Sequence, residues 1–195
     1  MVITYQGDNY LRFQSGATTI LVDPTSQRSF RGANVIVNTV MPGTVSRPEE
    51  GGEGERPPFW VEHQGEYEAQ GIHIRGWSVG NNGKEEHTAY RIRFEEIEIA
   101  ILGHLEKEPA ADLIAAVKGV DVLVLPGGGK PFLAPDAAAR AVRQIEPGAV
   151  IPTLGKETKQ FLKELGQTSV SPEEKFVFKK KDIAPGTMTV HLLSA

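Results

Sequence analysis

Cysteine is absent from this chain, so its chemistry has to come from histidine, carboxylate and glycine. Five histidines stand at His63, His73, His87, His104 and His191. No two are at i, i+2 or i, i+4, the local spacing from which a tetrahedral zinc site normally draws two of its ligands. His73 in GIHIRG and His191 between Val190 and Leu192 alternate with aliphatic neighbours, which places both on the solvent side of a strand. His104 closes the apolar run IEIAILG, a position from which a side chain can face a pocket, with a plain structural histidine as the simpler reading.

Glu66 and Glu68 in QGEYE are two apart and share a strand face. Paired carboxylates act as acid and base when their environments differ, and on an exposed edge they are a solvated pair. LPGGGKPF, residues 125–132, follows a strand and precedes a helix, the context in which the backbone N–H groups of Gly127 and Gly128 can face a phosphate. Lys130 is followed by Pro131, which excludes a P-loop and leaves a tight strand-to-helix turn as the plain reading. No GxGxxG occurs anywhere and no GxSxG nucleophile turn is read, so dinucleotide binding and serine-hydrolase chemistry have no foothold.

These residues have to be positioned by a strand-rich first half and a helix-rich second half. VITYQ, YLRFQ, TTILVD, NVIVNTV, FWVEH, GIHIRGWSV, TAYRIRF and IEIAILG run in period two, with tight turns at 15–18 and 94–98. Helices are expected over 109–120, 134–148 and 156–166, bounded by Pro and Gly in their usual places. Between them DVLVLP and AVIPTL read as buried strands, and KFVFKKK and TMTVHLL as closing strands. That order predicts a layered α/β or α+β fold with helices on the outer faces. Residues 41–58, rich in Gly, Pro and Glu, are expected to form a mobile loop.

With 39% hydrophobic and 24% charged residues, the 195 residues fit a single domain over 1–195. Twenty-five acidic against 21 basic residues leave no positive field for nucleic acid or anionic lipid. MVITYQGDNYL has neither a basic start nor an apolar run, and no segment approaches the roughly 20 apolar residues of a membrane span, so a cytoplasmic location is expected.

Several segments together resemble the metallo-β-lactamase superfamily. VITYQGDNYLRFQSGATTILVDP is similar to its opening hairpins, ending at Asp23 and Pro24, and ANVIVNT to the strand before its His-x-His-x-Asp-His motif. QGEYEAQGIHIRG, DVLVLPGGG and AARAVRQIEPGAVIP are similar to the short bacterial branch that includes ascorbate-6-phosphate lactonase-like proteins. The resemblance implies a four-layer αββα sandwich with a metal site at one end. Where it places the metal motif, this chain has Val40, Pro42, Thr44 and Val45, and Gly80, His104 and Leu154 stand at the later ligand positions. Only Asp23 and His104 retain donors suited to a metal, so the resemblance implies a degenerate member with neither metal nor cofactor.

The function expected on this reading is a non-catalytic binding or interaction module for a small molecule or a protein. Its pocket would involve Asp23, His104, Gly127 and Gly128, or the 41–58 segment with Phe59 and Trp60 as aromatic anchors. The alternative is a hydrolase of lactonase or phosphodiesterase type. It would use either a relocated zinc drawn from His63, His87, His104 and Glu66, or metal-free acid–base chemistry at His104 with a carboxylate.

Overall fold

The structure, a computed structural model, describes residues 1–195 except 27–29, 31, 48–56, 168 and 185. Its strands are β1 (Val2–Tyr5), β2 (Leu11–Ser15), β3 (Thr18–Val22), β4 (Val35–Val37), β5 (Val40–Met41), β6 (Phe59–Val61), β7 (Gly65–Ala69) and β8 (Ile72–Asn81). They continue with β9 (Glu86–Phe94), β10 (Ile97–Ile101), β11 (Val122–Pro126), β12 (Ala149–Thr153), β13 (Pro172–Glu173), β14 (Lys175–Val177), β15 (Thr189–Val190) and β16 (Leu192–Leu193). Helices α1 (Ala111–Val117), α2 (Pro135–Ile145) and α3 (Thr158–Glu164) fall in the second half, as the change of period predicts.

One sheet has six strands in the order β14-β1-β2-β3-β4-β6. The other runs β15-β12-β11-β10-β9-β8-β7, with β5 added beside β9. Both are mixed: β3, β4 and β6 are parallel in the first, and β10, β11, β12 and β15 in the second. Alternation sends Ile3, Phe13 and Val22 of one sheet and Ile74, Ile92 and Ile101 of the other into a shared core. Each fully buried side chain of this size contributes about 1.5–3 kcal/mol over leaving it in water.

The other face of the larger sheet packs against all three helices through Ala100, Leu123, Leu125 and Val150. Helix α2 shows why: Pro135 opens it, alanine lowers its ordering cost, and Ala138, Val142 and Ile145 form one buried stripe. It stops where Glu146 turns left-handed before Pro147. The outer face of the smaller sheet is covered by a thinner layer, in which Phe30 meets Trp60 edge-on at 5.2 Å over Leu21 and Ile36. No α-helix lies on that face among the described residues.

The 41–58 segment begins as ordered chain, since Met41 pairs with Glu86 in β5, and the rest of the expected mobility falls largely on 48–56, outside the described residues. His73 is on the open face as expected, 3.6 Å from Glu68. His191 is not. Its ring stacks on Phe176 at 3.6 Å and bonds Glu173 at 2.6 Å, because β13 and β14 fold over a position that looks solvent-facing from its neighbours alone. Among the described residues no helix is long and apolar enough to cross a membrane.

Candidate functional site

Ligands of open α/β sheets gather beyond the carboxyl ends of parallel strands. Here β3 delivers Asp23, β4 delivers Asn38 and Thr39, β10 delivers Gly103 and His104, β11 the glycine loop and β12 Leu154. Hydrogen bonds draw these segments together at one end of the sandwich.

Asp23 is the anchor. Its Oδ1 accepts the Thr39 backbone N–H at 2.6 Å, and its Oδ2 accepts the Thr39 hydroxyl at 2.5 Å and Asn9 Nδ2 at 2.6 Å. Thr153 donates its hydroxyl to Asn9 Oδ1 at 2.7 Å, which fixes the orientation of that amide. Thr39 Oγ1 also lies 2.9 Å from His104 Nδ1. With the threonine hydrogen directed to the carboxylate, the histidine contact requires the proton on Nδ1. The neutral ring then keeps a lone pair on Nε2. Thr39 is closed off from solvent and the Asp23 side chain is 9% exposed, whereas the His104 side chain is 18% exposed and forms the open end of the chain of bonds.

Burial pushes the Asp23 carboxyl above its ordinary range, opposed by His104 and by the donors of Thr39 and Asn9. Burial also holds the His104 imidazole below its ordinary value, opposed by Asp23 and reinforced by His87. His104 is therefore neutral at pH 7. His87 lies beside it, with ring centroids 5.9 Å apart, and Phe132 meets His104 edge-on at 5.6 Å.

Strained backbone concentrates here. Of the six non-glycine residues with positive φ among the described residues, Asp8 (51°), Asp23 (44°) and Leu154 (49°) belong to this end, and Leu154 N donates to Asp8 O at 3.2 Å. Each such residue costs about 1–3 kcal/mol, and that strain clusters at working sites. Gly103, with φ 31°, passes so close to Thr39 that a Cβ would come within 2.6 Å of the threonine Cβ.

Of the residues singled out by sequence, Asp23 and His104 meet through Thr39, and His87 joins them. His63 instead sits 3.3 Å from Glu86, and Glu66 faces outward on β7, 3.4 Å from Arg75. The glycine loop borders the site but uses two of its donors internally: Gly127 N bonds Thr153 O at 2.6 Å, and Gly129 N bonds Leu133 O at 3.0 Å. Trp60 is buried and so cannot pair with the exposed Phe59 as a surface anchor. GWSVG at 76–80 has Gly-x-Ser-x-Gly spacing but lies wholly within β8, without the strand-to-helix turn that exposes a nucleophile.

Sequence reasoning missed Asn9, Thr39 and Thr153 as site residues. Their one signal is a polar residue in a turn or at the end of an apolar strand. Zinc fits this arrangement poorly. Val40 is paired opposite His87 in β5, Leu154 offers no donor, and among the described residues no three of His, Asp and Glu gather as a metal-binding group.

No curated protein matches the chain significantly. Among solved structures, it is similar to a metallo-β-lactamase superfamily protein of Thermotoga maritima, with a TM-score of 0.74, 18% identity and coverage of 98% of this chain and 97% of that one. The metallo-β-lactamase fold protein YhfI of Bacillus subtilis gives 0.66 at 12% identity, over 99% and 96% of the two chains. The isothiocyanate hydrolase from Delia radicum gut bacteria gives 0.62 at 12%, over 91% and 99%. At these identities the likeness is one of fold. The family described as the beta-lactamase superfamily domain matches residues 2–154, most of the chain, and this protein belongs to that superfamily, with its metallo-β-lactamase fold.

Proposed function

We propose that this protein is a hydrolase of the superfamily whose acid–base group is His104, working without a bound metal on an ester or lactone. The observation that carries this reading is the chain of bonds from Asp23 through Thr39 to His104 Nδ1, at 2.5 and 2.9 Å. A carboxylate that fixes one nitrogen of a histidine leaves the other as a directed base. His104 Nε2 takes a proton from water as the water oxygen bonds the acyl carbon. The acyl–oxygen bond then breaks, and the imidazolium returns its proton to the leaving alkoxide. Thr39 and Asp23 do not touch substrate; they hold the tautomer and stabilise the positive ring.

Aliphatic side chains at positions 40, 45 and 154 support the metal-free form of this reading, since a hydrolytic zinc needs about three protein ligands. General acid–base catalysis contributes about 10²–10⁴-fold, so a modest turnover is expected. The test is hydrolysis of a panel of lactones and aryl esters, with and without chelator. Turnover that survives the chelator and falls about 100-fold or more in His104→Ala is expected. Activity abolished by chelator would overturn it.

A second reading, a non-catalytic binding module for a small molecule or protein, is supported by the same aliphatic replacements. It predicts a ligand held at His104 with no turnover of any ester or lactone, and wild-type turnover would exclude it.

A further inference from the structure

The outer face of the larger sheet beyond α1 carries charge in a definite order. In register across β7, β8, β9 and β10 stand Glu68, His73, Arg93 and Glu98, and the next row is Glu66, Arg75, Arg91 and Ala100. The two central strands therefore set His73 against Arg93 and Arg75 against Arg91. Like charges directly opposite one another, as Arg75 and Arg91 are, destabilise a sheet. Carboxylates on the flanking strands offset part of this: Arg75 lies 3.4 Å from Glu66, and Arg91 lies 3.0 Å from Glu98 while also donating to Ala116 O at 2.6 Å. Glu98 stands opposite Arg93 but turns to Arg91 instead. Arg93 is exposed in the middle of this block, and its guanidinium makes no ion pair or hydrogen bond among the described residues. The block lines a cleft of about 470 Å³.

We propose that this cleft binds a small oxyanion, a carboxylate or phosphate, between Arg93 and Arg75. A guanidinium without a partner, beside two further arginines held at fixed register, matches the paired oxygens of either group. The flanking glutamates fence the cations on both sides, so a compact anion is admitted and an extended polyanion is repelled. This inference is independent of the reading of His104.

Calorimetric titration of the whole chain with inorganic phosphate and, separately, with citrate tests it and distinguishes the two anion classes. Saturable binding of at least one of them is expected, weakened about tenfold or more in Arg93→Gln and less in Arg93→Lys, which keeps charge but loses the planar fork. Glu68→Gln, which removes a fencing carboxylate, is expected to tighten binding. Failure of the wild type to bind either anion overturns the proposal, as does equal affinity in wild type and Arg93→Gln. Because Arg93 is exposed, its variants keep the wild-type melting temperature when no anion is present.

Discussion

Thr39 has its hydroxyl 2.5 Å from Asp23 and 2.9 Å from His104, so Thr39→Val preserves the side-chain shape while removing both bonds. A buried carboxylate that loses a donor costs about 1.5–3 kcal/mol, which urea unfolding should show as a lower midpoint at unchanged slope. The same change frees the His104 ring, so on the acid–base reading turnover falls even where the protein remains folded. Gly103→Ala acts from the opposite side, because its Cβ would meet the Thr39 side chain in a backbone conformation with φ 31°. A loss of about 2–4 kcal/mol is expected, and a stability equal to wild type would show that Thr39 can move aside. Burial holds the His104 imidazole below its ordinary value, which favours the free base near pH 7. The rate should therefore fall only as pH drops below the ordinary histidine value of about 6.5, through the lowered one. An acid limb centred above 6.5 in the kcat/KM profile would contradict the assignment.

Elements carry the fold through a staple that local pattern does not disclose. Strand β14 joins the smaller sheet beside β1, while β15 joins the larger sheet beside β12. The C-terminal chain thus crosses from one sheet to the other, and Phe176 with its stacked partners Phe178 and His191 fills the crossing. Phe176→Ala should cost about 3–5 kcal/mol, and a double-mutant cycle with His191→Ala should show coupling of about 0.5–1.5 kcal/mol. Additivity within error would mean the two rings stabilise the crossing separately. The strands and helices themselves were legible, because period two gives way to helical spacing near residue 110 and Pro and Gly mark the helix ends. His191 was not, because its burial depends on Glu173 and Phe176 closing over it from other strands. Asn9 was equally hidden: it reads as part of a turn until the fold brings Thr153 to it from 144 residues away. The glutamates of β7 read correctly as an exposed edge, but the arginine register across β8 and β9 becomes visible only once the strands are paired.

At the scale of the molecule, two mixed sheets with parallel segments ending at the same place are enough to build a site, whichever chemistry occupies it. The family's fold positions Asp23, the end of β4 and the end of β10 together, and that convergence was legible in the run of segments from VITYQ to AVIPTL. What the side chains do there was legible in part, since it could be read directly that Val40, Pro42, Val45 and Leu154 offer no side-chain donor to a metal, whereas the threonine relay could not be read. These side chains lead to a thermodynamic expectation. A ligand bound only by the folded chain at 100 times its dissociation constant adds about 2.7 kcal/mol of stability. For a chain of this length each kcal/mol raises Tm by about 2–4 °C. A retained zinc site would thus move the transition by roughly 5–10 °C when saturating zinc is added to chelator-treated protein. Asp23 has its oxygens engaged by Thr39 and Asn9, and His104 Nδ1 is engaged by Thr39, so one open histidine nitrogen remains for a metal along this chain of bonds. The expected result is a transition unmoved by zinc or chelator, read by calorimetry alongside the metal content of the dialysed protein. A shift of several degrees with one zinc per chain would require the ligands to come from elsewhere in the fold, and the acid–base role of His104 would fall with it.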